Sequence, residues 1–140
     1  MRLRIEHKPN PEPSEVGQLN AALSNFNRTR IPEKGYAPIY LVLLSDETEG
    51  FAGGLNGFLS YGWLFIETIW VAEPARSQGW GSKLMAAAEE EARRQGCRHA
   101  WLDTFSFQAR AFYEKLGYQV FGELEDFPPG HSRYFLRKNL

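Results

Sequence analysis

VAEPARSQGWGSKLMAAAEEEARRQG, residues 71–96, runs from the end of a strand-like segment through an arginine and two glycines into a helix. Leu84, Met85, Ala88 and Ala92 fall on one helical face, while Glu89 with Arg93 and Glu90 with Arg94 form i to i+4 pairs on the other. Gly96 predicts the helix end. A helix start leaves about four amide groups without partners and carries roughly half a positive charge, so it suits a phosphate or another anion. Gly79 and Gly81 let a ligand approach the main chain, and Arg76 adds charged donors. A glycine-rich turn with a surface arginine fits the same residues, and Gly-x-Gly alone does not separate the two.

The flanks decide more. WLFIETIWV before the loop is continuously apolar and predicts a central strand buried on both faces; CRHAWLDTF after Gly96 resumes as a strand. Strand, helix and strand in this order predict a parallel βαβ unit with a right-handed crossover. Ligands of such units gather at the carboxyl ends of the strands, where the glycine loop sits.

Outward from this unit, RLRIEH (2–7) alternates polar and apolar residues and predicts a first strand, stopped by PNPEPS. Ser14 is the expected N-cap of a helix over about Glu15 to Phe26, with Val16, Leu19, Ala22, Leu23 and Phe26 as its stripe. NRTRIPEKGYAP follows as a loop, the segment expected to be most mobile. IYLVLLSD and GFAGGLNGFLS predict a hairpin across SDETEG, with a further bend near Ser60 to Gly62. QARAFYEKLG predicts a short helix with Ala109, Phe112, Tyr113 and Leu116 on one side and Gly117 as its stop. The chain closes with a hairpin whose loop carries Pro128, Pro129 and Gly130.

Bulk properties narrow the class. At 140 residues the chain predicts one domain, 1–140, with a single core. A formal net charge of -1 gives no reason to expect nucleic acid or an acidic membrane as partner. No apolar run approaches the roughly 20 residues of a membrane span, and MRLRIEHKPNPEPSE is charged where a signal peptide is apolar, so a cytoplasmic protein is expected. The one cysteine, Cys97, is expected to be a structural, semi-buried thiol. His7, His99 and His131 have no zinc spacing, and no metal is expected.

Following strand alternation, Glu67, Ile69 and Val71 share a face, so a carboxylate precedes the anion-binding loop; Tyr113 arrives from the helix after the neighbouring strand. A carboxylate, a phenol and a phosphate cradle at one crevice predict a transferase that uses a phosphate-bearing carrier. VAEPARSQGWGSKL resembles motif A of the GNAT superfamily of acyl-CoA-dependent N-acetyltransferases, Arg/Gln-x-x-Gly-x-Gly/Ala, here Arg76, Ser77, Gln78, Gly79, Trp80 and Gly81. AFYEKLGY resembles the family's later Tyr-Glu-Lys-x-Gly-Phe segment, and the element order from Arg2 to Leu140 also fits.

The resemblance implies a single α/β (α+β) domain: a mixed, mostly antiparallel sheet whose parallel βαβ unit splays into a cofactor cleft. It implies acetyl-CoA as cosubstrate, its pyrophosphate held by the loop from Arg76 to Ser82, and main-chain groups near Ile69 and Val71 pairing with the pantetheine arm. It implies Tyr113 as the acid for the leaving thiolate and Glu67 as a base acting through water. Many members carry Asn where this chain has Ser106, so Ser106 or Gln108 is expected to replace that coenzyme contact. The chemistry is consistent: an amine with pKa near 10 must lose a proton before attack, and the thiolate needs one in return.

A non-catalytic acyl-CoA sensor with the same cradle is the rival reading. The metal-dependent vicinal-oxygen-chelate proteins share a phrase like FYEKLGY, but they need duplicated modules and a His/Glu metal set that the chain does not display. The expected acceptor is a primary amine of a small molecule or peptide, bordered by NRTRIPEKGYAP and EDFPPGHSRY. Glu123, Glu125 and Asp126 either attract that amine or form a solvated turn. Trp63, Phe65, Trp70 and Trp101 are expected mainly in the core. A homodimer is a possible state, through the hairpin bearing Tyr134, Phe135 and Leu136, which equally suits covering the monomer's own core.

Overall fold

In the computed structural model residues 1–31, 35–47 and 50–140 are described. The chain divides into two compact units, Met1–Lys34 and Gly35–Leu140. In the first, helix α1 spans Pro13–Arg28. Pro13 occupies the first turn, where a missing N–H costs nothing. The cap is Glu12 rather than the expected Ser14: Glu12 and Glu15 form a reciprocal capping box, in which the Glu12 N–H donates to Glu15 Oε1 at 3.0 Å. Residues 2–7 are not a strand. Their alternation could stabilise one only through a pairing partner, and Leu3 and Ile5 are fully exposed instead. Pro32, Glu33 and Lys34 of the loop expected to be mobile lie outside the described residues, as do Thr48 and Glu49 of the first hairpin turn.

The second unit is built on a six-stranded sheet. Its elements are β1 (Ala37–Ser45), β2 (Gly50–Ser60), β3 (Trp63–Val71), α2 (Trp80–Arg94), β4 (His99–Phe105), α3 (Arg110–Lys115), β5 (Gln119–Glu125) and β6 (Ser132–Asn139), with a 3-10 turn at Glu73–Ala75. The spatial order is β1-β2-β3-β4-β6-β5. Every neighbouring pair is antiparallel except β3 and β4. The expected bend between β2 and β3 is a two-residue turn in which Tyr61 and Gly62 both have positive φ, 52° and 79°, the twist that suits a tight hairpin. β6 lies inside the sheet and carries the fully buried Leu136, so the last hairpin covers the chain's own core and, of its two strands, β5 forms a sheet edge, with β1 at the opposite edge.

The helices α2 and α3 pack on one face, around Leu55, Leu59, Leu64, Ile66, Ala100, Leu102 and Leu136. The stripe of α2 is as predicted, with Leu84, Met85, Ala88 and Ala92 buried. Its charged side is not wholly wet. Glu89 is 5% exposed, accepting from the Tyr118 hydroxyl at 2.7 Å and from Lys138 Nζ at 2.8 Å. Arg94 pairs with Glu91 rather than Glu90. The expectation that β3 is buried on both faces also fails: Leu64 and Ile66 are buried, whereas Trp63 and Phe65 are half-buried and Trp70 is exposed. Trp63, Phe65 and Trp101 line the sheet face opposite the helices, stacking on His99 or on one another.

One irregularity positions everything that follows. Between β2 and β3 the register slips, so that Asn56 pairs with Thr68 and Gly57 with Ile66, leaving Glu67 as the extra residue of a β-bulge. A Cβ on Gly57 would overlap the Phe65 carbonyl; only glycine lets the strands close up there. The bulge resets the alternation. Ile69 and Val71 return to the core side, whereas Glu67 is exposed and accepts a hydrogen bond from Asn56 Nδ2 at 3.3 Å. Glu67 therefore does not share the face of Ile69 and Val71, contrary to simple two-residue counting.

Removing the Tyr118 hydroxyl should expose the cost of this arrangement around Glu89. We expect Tyr118→Phe to lower stability by about 1–3 kcal/mol, read as a lower urea midpoint with an unchanged m-value.

Candidate active site

The parallel strands β3 and β4 pair only from Trp63↔His99 to Ile66↔Leu102, although β3 continues to Val71 and β4 to Phe105. Beyond that last rung the strands part and a gap opens between them. On its β2 side β3 stays paired, and the Ala72 N–H donates to Ala52 O at 2.8 Å. Counting back by twos, Trp70 and Thr68 direct their main-chain groups to β2, while those of Ile69 and Val71 point to the side that β4 has left. A strand edge inside a sheet is thereby left open to an extended ligand.

The loop above the gap is shaped by its backbone. Gly79 caps α2 with φ 83°, a conformation costly for residues with a Cβ, and Ser77 also has positive φ, 65°. Val71, Arg76, Ser77, Gly79, Gly81 and Ser82 line a cavity of about 280 Å³, closed on the far side by Phe112. A Cβ on Gly81 would stand 3.2 Å from Phe112 Cζ, so this glycine makes room for α3. Phe112, which periodicity placed only on one side of the short helix, lines this cavity. Arg76 donates its Nε to the Val71 carbonyl at 2.8 Å, bracing the end of β3 and presenting the rest of its guanidinium at the loop. Gln78 donates to the Pro74 carbonyl at 3.2 Å and faces a neighbouring cavity of about 560 Å³, which it shares with Trp80. Lys83 lies over the Trp80 ring at 4.3 Å and adds a cation to the first turn of α2.

Tyr113 is 7% exposed. Its ring packs edge-on against Phe112 and Tyr118. Burial, and then the charge of Asp103, push its hydroxyl up to about 12, so the phenol stays protonated throughout the neutral range. Ser106 is drawn elsewhere: its Oγ accepts from the Ser132 N–H at 3.1 Å and lies 3.2 Å from His131 Nδ1, which ties the end of β4 to the last hairpin. The Gln108 side-chain oxygen Oε1 accepts from the Phe105 N–H at 2.9 Å, closing the turn into α3. Cys97 is buried, and desolvation pushes its thiol up, the opposite of an activated nucleophile. Among the described residues no group of three or more His, Cys, Asp or Glu is placed to hold a metal, and no helix is long and apolar enough to cross a membrane.

With this geometry in view, the comparisons with known proteins agree. The sequence model of the Acetyltransferase (GNAT) family matches residues 3–118. A blasticidin-S acetyltransferase of Streptomyces morookaense is 37% identical over 88% of this chain and 91% of its own. The crystal structure of an acetyltransferase from Bacillus cereus superposes with TM-score 0.86 at 35% identity, covering 96% of this chain and 98% of that one. A putative acetyltransferase from Agrobacterium tumefaciens gives 0.90 at 30% identity, covering 99% and 100%. The chain belongs to the GNAT acetyltransferase family, whose members use acetyl-CoA. It is an enzyme of that class, and its mixed sheet with one parallel pair is the family fold.

The Gly79 cap offers a direct check on the loop. Gly79→Ala should cost about 1 kcal/mol of stability from the positive φ alone, measured by urea denaturation, and should weaken acetyl-CoA binding several-fold in calorimetric titration.

Proposed function

We propose that the protein transfers the acetyl group of acetyl-CoA to a primary amine of a small molecule by direct attack in a ternary complex. The observation that carries this reading is the unpaired stretch of β3 leading straight to the Gly79-capped start of α2: an extended pantetheine arm fits the first and a pyrophosphate the second. In this reading the loop from Arg76 to Ser82 holds the pyrophosphate mainly through its amides, with Arg76 and Lys83 adding charge, and Ile69 and Val71 pair with the arm. The relative whose name gives blasticidin-S as acceptor favours a small molecule over a peptide.

The chemistry then follows from this chain's residues. Glu67, exposed at the bulge beside the opening of the gap, takes a proton from the acceptor ammonium, directly or through water. The neutral amine attacks the thioester carbonyl to form a C–N bond, and the oxyanion is stabilised by main-chain amides of the open β3 edge. As the C–S bond breaks, the protonated Tyr113 hydroxyl hydrogen-bonds to the departing sulfur, while the acetylated nitrogen gives up its second proton to become the neutral amide and that proton passes by way of solvent to the thiolate. No enzyme nucleophile is needed, consistent with the unactivated Cys97. A sensor that binds the coenzyme without turnover would not require a protonated phenol at the gap.

Thermal unfolding with acetyl-CoA at a hundredfold excess over its dissociation constant should show a stabilisation of about 2.7 kcal/mol, a midpoint shift of several degrees that adenosine does not reproduce. The absence of any shift at millimolar acetyl-CoA would refute coenzyme binding. Tyr113→Phe should reduce kcat by about a hundredfold with acetyl-CoA affinity and melting temperature nearly unchanged; an unaltered kcat would remove Tyr113 from the mechanism.

A further inference from the structure

Glu67 and Asp103 are each the first residue beyond the last parallel rung, Ile66↔Leu102. Ile66 and Leu102 are buried on the helix-bearing face, so strand alternation turns the next residue of both strands to the opposite face. Two carboxylates therefore flank the point where the gap opens, on adjacent strands about 5 Å apart at that rung. One rung earlier, on the same face, Phe65 stacks on Trp101 with ring centroids 4.2 Å apart, and Phe58 stands edge-on to Phe65 at 5.3 Å. An aromatic floor thus adjoins the two acids.

Neither acid is loosely held. Asn56 fixes Glu67. Arg133 donates its Nε to Asp103 Oδ1 at 2.9 Å, and its NH2 lies at the same distance from the same oxygen. Arg133 is itself anchored over the rings of Phe105, Phe127 and Phe135 at 5.5, 4.9 and 5.2 Å. Both of its contacts fall on Oδ1, so Oδ2 is not used by Arg133. Asp103 also acts across the gap electrostatically, since its charge is felt at the Tyr113 hydroxyl. Asp103 thus stands on β4, the strand across the gap from Glu67 on β3.

We propose that Asp103 is a specificity-determining residue of the acceptor site: it holds a second cationic group of the amine acceptor over the Phe65–Trp101 rings while Glu67 receives the proton of the reacting amine. The inference rests on the acetyl-transfer reading of the gap and narrows the acceptor to a class, amines carrying a further ammonium or guanidinium group. Charge attraction and ring-face contact both favour such a cation. An acceptor with a neutral tail would satisfy Glu67 and gain nothing from Asp103.

Calorimetric titration of the coenzyme A-saturated enzyme with agmatine, a primary amine bearing a guanidinium, and with hexylamine, of similar length but a neutral tail, tests this without turnover. The wild type should bind agmatine about tenfold more tightly than hexylamine, and Asp103→Asn should erase that difference by weakening agmatine alone. Because Asp103→Asn leaves Arg133 without its partner, the double variant Asp103→Asn/Arg133→Gln provides a second arm with the same expected loss. Equal affinities in the wild type, or agmatine affinity changed by less than about twofold in both variants, would overturn the proposal while leaving acetyl transfer intact. Failure of the wild type to bind coenzyme A would instead defeat the functional reading, and this inference with it.

Discussion

The constraint on which the site depends is the early end of parallel pairing at Ile66↔Leu102. Continuing the ladder would stabilise the sheet, so something must hold the strands apart. On one side is the bulge: the extra residue at Glu67, permitted by Gly57, bends and twists β3 just past the last rung. Beyond it, β3 is pinned to β2 as far as Ala72 and braced by Arg76 on the Val71 carbonyl. On the other side β4 keeps full antiparallel pairing with β6 from His99 to Phe105. Each strand follows its own outer partner, and the unpaired amides between them form the proposed ligand site.

The proposed coenzyme end of that site is set by where α2 begins, and α2 is located by more than its apolar stripe. Glu89 lies buried in its middle, bonded to Tyr118 after α3 and to Lys138 on β6, which links the helix to the far side of the sheet. A buried ion pair is weak evidence for stability in itself. Its directional bonds do restrict how α2 can slide along the core, and a one-residue slide would carry Gly79 about 1.5 Å from its place above the gap. The partial positive charge of the helix start is useful only if it stays aimed at the open edge of β3.

Those parts of the fold that rest on local pattern were legible in the sequence. The stripe of α2, the stop at Gly96, the turns around Gly62 and Gly117 and the βαβ unit all follow from periodicity and turn chemistry, and with them the glycine loop. What was not legible depends on pairing between distant segments. Alternation in residues 2–7 predicted a strand, but alternation cannot supply a neighbour. The bulge at Glu67 arises from the register of β2 against β3, so counting by twos put Glu67 on the wrong face. Glu89 read as a wet-side charge because its partners Tyr118 and Lys138 are 29 and 49 residues away. Asp103 drew no notice in CRHAWLDTF, since only the parallel register sets it beside Glu67.

Tyr113 and Tyr118 show how similar residues in one short segment are given different work. Both are buried and both hydroxyls are pushed up. The Tyr118 hydroxyl is spent on the Glu89 carboxylate, so its proton is committed to a structural bond, and ionising it would set two negative charges against each other in a dry interior. Among the described residues the Tyr113 hydroxyl has no such bond to a carboxylate but feels the charge of Asp103, and in the proposed reaction it serves the departing sulfur. A phenol near 12 is a poorer proton donor in equilibrium terms than one at 10. That cost falls on complete transfer, whereas a hydrogen bond to sulfur as its charge develops requires only a proton held in place. In the proposed reaction, burial and Asp103 together favour a Tyr113 that stays protonated and stabilises the leaving sulfur by a hydrogen bond, the thiolate then taking up by way of solvent the proton that the acetylated nitrogen gives up.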